Sequence, residues 1–290
     1  MTRADSVAAA RAHQAPVHFL FHSAFCASTL LCRALDHSGV AMGLSEPVLL
    51  NDVVGVRRRR EMEGRDVGRL LDDSLTLLAR GWGAGEAVIL KPSCVVNPLG
   101  AGMLTLRPDA KALCLYAPLD QFLSSVARKE LWCRLWVREL LEGLIGDGVV
   151  DLGFTPSDYF RLTDLQCAAV GWLAQHRLFA ALAERFGADR VRTMDSEMLL
   201  TDPKAALAAI AGHFSLATSA GVIAAMADAP AFRRHSKSGE SFDADARRAE
   251  RTAAETAHGD ELAKVHEWAL VVAERAGVSI PLPHPLLQAS

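Results

Sequence analysis

The sequence predicts an α/β fold on a central parallel sheet, from three observations. Short runs such as VHFLF, AVILK and ALCLYA are apolar on both faces, as strands buried in a parallel sheet are. Longer amphipathic runs alternate with them, which implies right-handed crossovers and helices on both sheet faces. Half of the 290 residues are hydrophobic and only 22% are charged, enough apolar material for a large core.

In chain order, the strands are expected at 17–21, 40–45, 87–91, 112–117 and 190–194. Helices are expected at 28–37, 65–80 and 121–145. Residues 157–186 are rich in helix formers and read as one or two helices beside the sheet. No strand is expected after Met194. Asp202-Pro203 starts a further helix, with proline at its first position. Residues 230–242 turn polar and Ser/Gly-rich, the mark of a mobile surface loop. Helices at 244–258 and 261–276 precede a Pro-rich tail. The chain therefore reads as one domain over 1–290, with an α/β core at 15–200 and a mostly helical part from 201 on.

Composition excludes several functions. Lys+Arg number 31 against 34 Asp+Glu, a formal charge of −3, which argues against a dedicated nucleic-acid binder. No apolar run approaches the ~18 residues of a membrane span. Arg11, His13 and Gln14 interrupt any signal-peptide core near the start. The six cysteines form no CxxC pair and sit in apolar stretches, which predicts reduced thiols in a cytoplasmic protein without a zinc site.

The most informative stretch is VHFLFHSAFCASTLLCRALD. A strand, a tight turn and a helix opening at Ser28-Thr29 aim a helix N-terminus at the sheet edge, a natural anion site. The plainer reading is an ordinary turn capped by Ser28 or Ser23. The Walker pattern GxxxxGK[ST] is absent, and no glycine lies between His22 and Thr29, where a wrapped anion nest usually needs residues tolerant of positive φ. A cysteine phosphatase built on Cys26 needs an arginine at a spacing that Cys32 occupies, and Arg33 stands one residue beyond it.

The turn ending in Ser28-Thr29-Leu30-Leu31, with Leu44-Ser45-Glu46-Pro47, resembles the start of the P-loop sulfotransferases. The likeness is nearest to bacterial sulfotransferase-like proteins and, at some positions, to tyrosylprotein sulfotransferases. It implies a three-layer P-loop-type fold. It also implies that Phe25, Cys26, Ala27, Ser28 and Thr29 cradle the 5′-phosphosulfate of 3′-phosphoadenosine 5′-phosphosulfate (PAPS). Phe25 and Ala27 stand where the family carries a basic residue and a glycine. In LYAPLDQFLSSVARKE, Ser124 takes the position of a family serine that binds the donor's 3′-phosphate, and Tyr116 replaces the strand-end arginine. Arg128, four residues on from Ser124, shares its helix face.

Lys91, ending the strand AVILK, is expected to stand in for the missing loop cation, with His22 as a second donor. Glu46 matches the glutamate that acts as general base in the protein-modifying members. The histidine of the cytosolic members falls near Ser93. Arg234 and Lys237 in RRHSKSG resemble the late basic clamp, although the glycine stands one residue late. Arg57 and Arg59 are expected to pair with Glu61 and Glu63 along a solvated helix. The resemblance implies metal-free sulfuryl transfer from PAPS to a hydroxyl or amine of a small molecule, sugar or peptide. The alternative is a catalytically inactive nucleotide- or ligand-binding protein. An ATP phosphotransferase lacks its Walker lysine and magnesium carboxylates here.

Overall fold

The computed structural model describes residues 2–83, 85–228 and 244–288. Five parallel strands form one sheet: β1 (Val17–His22), β2 (Ala41–Ser45), β3 (Ala87–Lys91), β4 (Ala112–Tyr116) and β5 (Val191–Asp195), in the order β2-β3-β1-β4-β5. β1 is therefore central. The chain leaves it towards β2 on one side and later returns to β4 on the other. The carboxyl end of β1 is the topological switch point, where open α/β sheets bind their ligands.

Side-chain alternation along β1 assigns the two faces. Leu20 packs with Leu30, Leu31 and Leu35 of α2 (Ser28–Leu35), while Phe19 and Phe21 pack against Leu50, Val53 and Leu75 of α3 (Val48–Arg58) and α4 (Gly64–Leu78). α6 (Leu119–Arg128) and α7 (Glu130–Gly146) cover the α2 face through Phe122, Val126 and Val137. Both faces are covered, giving the three layers expected. Gly43 in β2 lets α2 lie close: a Cβ there would come within 2.6 Å of the Cys32 carbonyl oxygen.

The long helix α9 (Asp164–Phe186) opens with a capping box, Thr163 with Gln166, and is buried on most sides from Leu165 to His176. Its Trp172 indole donates to the carbonyl of Ala117 just past β4, at 3.0 Å, tying the helix to the sheet edge.

The strands fall within one residue of expectation; several helices do not. Residues 121–145 form two helices, because Lys129 leaves helical geometry between α6 and α7. The C-terminal region, expected as two helices, is one helix over Ala244–Ala276 that runs through Gly259. A single interior glycine costs only about 1 kcal/mol and does not break a helix by itself. The sequence reading also missed the first helix, Arg3–Arg11, and expected a helix through residues 57–63 where α3 instead spans Val48–Arg58. α3 ends at Arg58, and Arg60 is left-handed (φ 54°), so the expected Arg57–Glu61 and Arg59–Glu63 pairs do not form. Arg57 and Arg58 instead share Asp147, whose side chain is only 1% exposed, and Arg59 pairs with Glu61 at 2.5 Å. Residues 230–242 lie outside the described residues, and no helix among those described is long and apolar enough to cross a membrane.

Three histidines predict a fold that loses stability in acid. Burial pushes His18 and His213 down to about 4 and His176 down to about 3. A depressed folded-state value means that the unfolded chain takes up these protons first. Stability is therefore full above about pH 6.5 and falls as the pH drops from there towards 4, by about 1.4 kcal/mol per pH unit for each such histidine. Urea midpoints measured from pH 7 to pH 4 should decline with that onset, and His18→Gln should shallow the slope.

Candidate active site at the carboxyl edge of the sheet

The chain turns sharply after β1. Ala24 (φ 69°), Phe25 (φ 51°) and Ala27 (φ 57°) all adopt the left-handed conformation, although none is glycine. Each costs on the order of 1–3 kcal/mol and persists only where its surroundings impose it. The sequence reading expected such a wrap to need glycine; packing and hydrogen bonds impose it instead. Ser23 N–H donates to the Leu115 carbonyl (3.1 Å), Ala24 N–H to His22 Nδ1 (3.1 Å), and the Cys26 thiol to the Leu115 carbonyl (3.4 Å). The Phe25 ring is held between Phe122 and Trp136, at 5.8 and 5.6 Å between centroids, with the Lys129 ammonium 5.6 Å from its centre. Phe25 thus acts as an anchor for the loop.

A turn that mixes left-handed residues with others of ordinary φ, as Phe25, Cys26 and Ala27 do, is the kind of backbone in which successive N–H groups form an anion-binding nest. α2 follows directly, with Ala27 as its N-cap and no side-chain capping hydrogen bond, so neither Ser23 nor Ser28 fills the role of cap. Ser28 is buried and Thr29 half-buried on that first turn. The Ser23 hydroxyl is completely buried and has no hydrogen-bond partner among the described residues.

Three of the expected side chains converge beside this loop. β2 pairs with β3 so that Ser45 lies opposite Lys91, and Glu46 N–H then donates to the Lys91 carbonyl at 2.6 Å. Glu46 is itself left-handed (φ 51°). Lys91 lies on the α2 face of the sheet with Ile89, its side chain 0% exposed, and its ammonium is ion-paired with the Glu46 carboxylate, which is 46% exposed. His22 Nε2 stands 3.8 Å from the same carboxylate oxygen. Because His22 Nδ1 accepts the Ala24 N–H, a neutral ring carries its proton on Nε2, towards Glu46. A buried cation, a carboxylate open to solvent and an oriented imidazole therefore meet at the end of β1.

The cysteines behave as packing. All six are free and buried, and burial pushes the thiols of Cys32 and Cys94 up to about 12 and raises that of Cys26. Lys91 pulls all three the other way without overcoming it. Cys26 is therefore no thiolate nucleophile, in spite of its place before a helix.

Ser124 and Arg128 share a half-buried stripe of α6, as their spacing requires. Helix geometry sets them about 200–240° around from Phe122, the residue that meets the loop. The cation seated against the loop is Lys129, which the sequence reading did not single out. Tyr116, in the strand-end place, touches His176 edge-on at 4.8 Å, and burial beside Asp195 pushes its phenol up to about 12. Arg234 and Lys237 lie outside the described residues. Asn97, also missed, donates its side-chain amide to the His22 carbonyl at 2.9 Å, and nothing in its local sequence marks it.

No protein-family model and no curated protein matches the chain. Among solved structures it is similar to the sulfotransferase domain from the curacin biosynthetic pathway, with 12% identity, 72% of this chain and 77% of that one covered, and a TM-score of 0.46. It is also similar to the sulfotransferase domain from the Synechococcus PCC 7002 olefin synthase, with 14% identity, coverage of 81% and 84%, and a TM-score of 0.45.

Proposed function

We propose that this chain transfers a sulfuryl group from PAPS to a hydroxyl or amine of a small molecule, sugar or peptide. The observation that carries the reading is the turn in which Ala24, Phe25 and Ala27 are held left-handed without glycine, beside a buried lysine and an accessible carboxylate. Strain of this kind, imposed by surrounding packing at a sheet's switch point, goes with ligand binding. The buried Ser23 hydroxyl, without a partner among the described residues, and helix α2, whose N-cap Ala27 offers no side-chain hydrogen bond, suit a phosphosulfate.

When bound, PAPS supplies an activated sulfuryl group on a phosphate leaving group. The chain's own contribution is electrostatic and positional, as in phosphoryl transfer, and the proposal invokes no metal. The loop's N–H groups and the hydroxyls of Ser28 and Thr29 hold the anion. Lys91 offsets the negative charge that grows on the leaving oxygen. Glu46 takes the acceptor's proton on its carboxylate, and the His22 Nε2–H edge, 3.8 Å away, adds an electrostatic contact to that carboxylate. Phe25 and Trp136 shield the loop from water. Ser124 and Arg128, with Arg234 and Lys237, are assigned to the donor's 3′-phosphate. The six buried free thiols suit a reducing compartment, which supports a cytoplasmic enzyme.

Ligand-induced stabilisation tests the reading. With 3′,5′-adenosine diphosphate at about 100 times its Kd, the gain should be about 2.7 kcal/mol, a rise of several degrees in Tm. ATP and AMP should give clearly smaller shifts. Equal, negligible shifts with all three would remove the proposal. The Phe25 ring in the cation's place favours a second reading, a binding protein without turnover, and that reading predicts the nucleotide shift with no loss of label from PAPS.

A further inference from the structure

Asn97 lies in the short 3-10 helix Cys94–Leu99 that follows β3, and it is completely buried. Its side-chain amide donates to two acceptors, the His22 carbonyl at 2.9 Å and Gln175 Oε1 at 2.9 Å. Gln175, equally buried on α9, donates in turn to the Gly171 carbonyl at 3.3 Å. A chain of side-chain amides thus runs from the backbone of α9 to the last residue of β1.

Sheet register explains why His22 needs this contact. β1 pairs with β3 from Val17↔Val88 to Phe19↔Leu90, and β3 ends at Lys91. Beyond that point β1 has no strand beside it on the β3 side, and Asn97 supplies the donor a continuing strand would have given. It does so at a cost: Asn97 Oδ1 is buried and has no partner among the described residues, a penalty of about 1–3 kcal/mol. Packing alone gives no reason to place an amide there. What the contact fixes is His22, whose carbonyl is held by Asn97, whose Nδ1 is held by Ala24 N–H, and whose Nε2 is left facing Glu46.

We infer that Asn97, oriented by Gln175, is a positioning residue that locks His22 in the Nε2–H tautomer facing the Glu46 carboxylate. This rests on the proposed roles of His22 and Glu46, and it adds the buried amide pair as the support that keeps them aligned. Removing the pair leaves β1 held on the β4 side alone, through the His22–Leu115 pairing and Ser23 N–H, so the His22 peptide shifts and its ring loses its fixed relation to Ala24 N–H and to Glu46. A misplacement of about 1 Å in such a group costs on the order of 100-fold in rate.

The direct readout is nitrogen NMR of the His22 ring in the full chain, comparing the wild type with Asn97→Leu, which keeps the volume and removes both N–H donors. The wild type should show the Nε2–H tautomer alone, and the variant a mixture of both. Gln175→Met, one bond further away, should move the populations in the same direction and serves if Asn97→Leu fails to fold. Variants that melt earlier yet keep His22 wholly as Nε2–H would reduce the pair to core packing and overturn the inference. The tautomer needs no nucleotide, so a failure of 3′,5′-adenosine diphosphate binding sinks the sulfuryl-transfer reading separately.

Discussion

Glu46→Gln is expected to lower sulfuryl transfer by about 10²–10⁴-fold while leaving the affinity for 3′,5′-adenosine diphosphate unchanged. Glutamine keeps the size of the side chain and an oxygen for the Lys91 ammonium to donate to, but it takes up no proton. The geometry makes Glu46 the base because its carboxylate reaches from a wholly buried cation to solvent, where an acceptor arrives. The assay is loss of label from PAPS beside a nucleotide titration of the same preparation. Undiminished turnover in the variant would reject Glu46 and pass the role to His22, the other proton carrier within reach.

Lys91→Met separates catalysis from folding. Burying an ammonium is costly, and a buried ion pair often gives no net stability over an apolar pair of similar volume. Glu46, the partner left behind, is 46% exposed and regains water. The variant should therefore keep the wild-type unfolding free energy, from urea titration, within about 1 kcal/mol. Its transfer rate should fall by about 10²–10³-fold, the loss typical when one donor to a developing negative charge is removed. A large loss of stability with normal turnover in the surviving protein would make Lys91 a structural residue. The pair of variants also divides the labour: Lys91→Met should weaken nucleotide binding, and Glu46→Gln should not.

Much of the fold was legible because strands buried on both faces announce themselves as apolar runs with sharp ends. β3 matches expectation at both ends, β1, β2 and β4 differ by one residue at one end, and β5 is shifted by one residue as a whole. Helix ends were harder. The break at Lys129 carries no glycine or proline; there Lys129 sits over Phe25, a contact between segments far apart in sequence that no local pattern shows. Of the site, His22, Glu46 and Lys91 were legible one by one as strand-end residues. Their meeting depends on the order β2-β3-β1, which sets three strand ends side by side. The left-handed loop was hidden because the usual signal, glycine, is replaced by tertiary packing of Phe25 on Phe122 and Trp136. Asn97 gave no signal, since a buried amide in a short apolar segment looks like any other until its partners are known.

The claim on which all of this depends is that a loop without glycine or lysine holds a doubly charged group through its backbone. Amide NMR during a titration with 3′,5′-adenosine diphosphate tests it most directly. The N–H resonances of residues 25–30 should move together and saturate with one binding constant, while those on the opposite edge of the sheet stay still. Saturable binding whose shifts leave residues 25–30 unmoved would contradict the account.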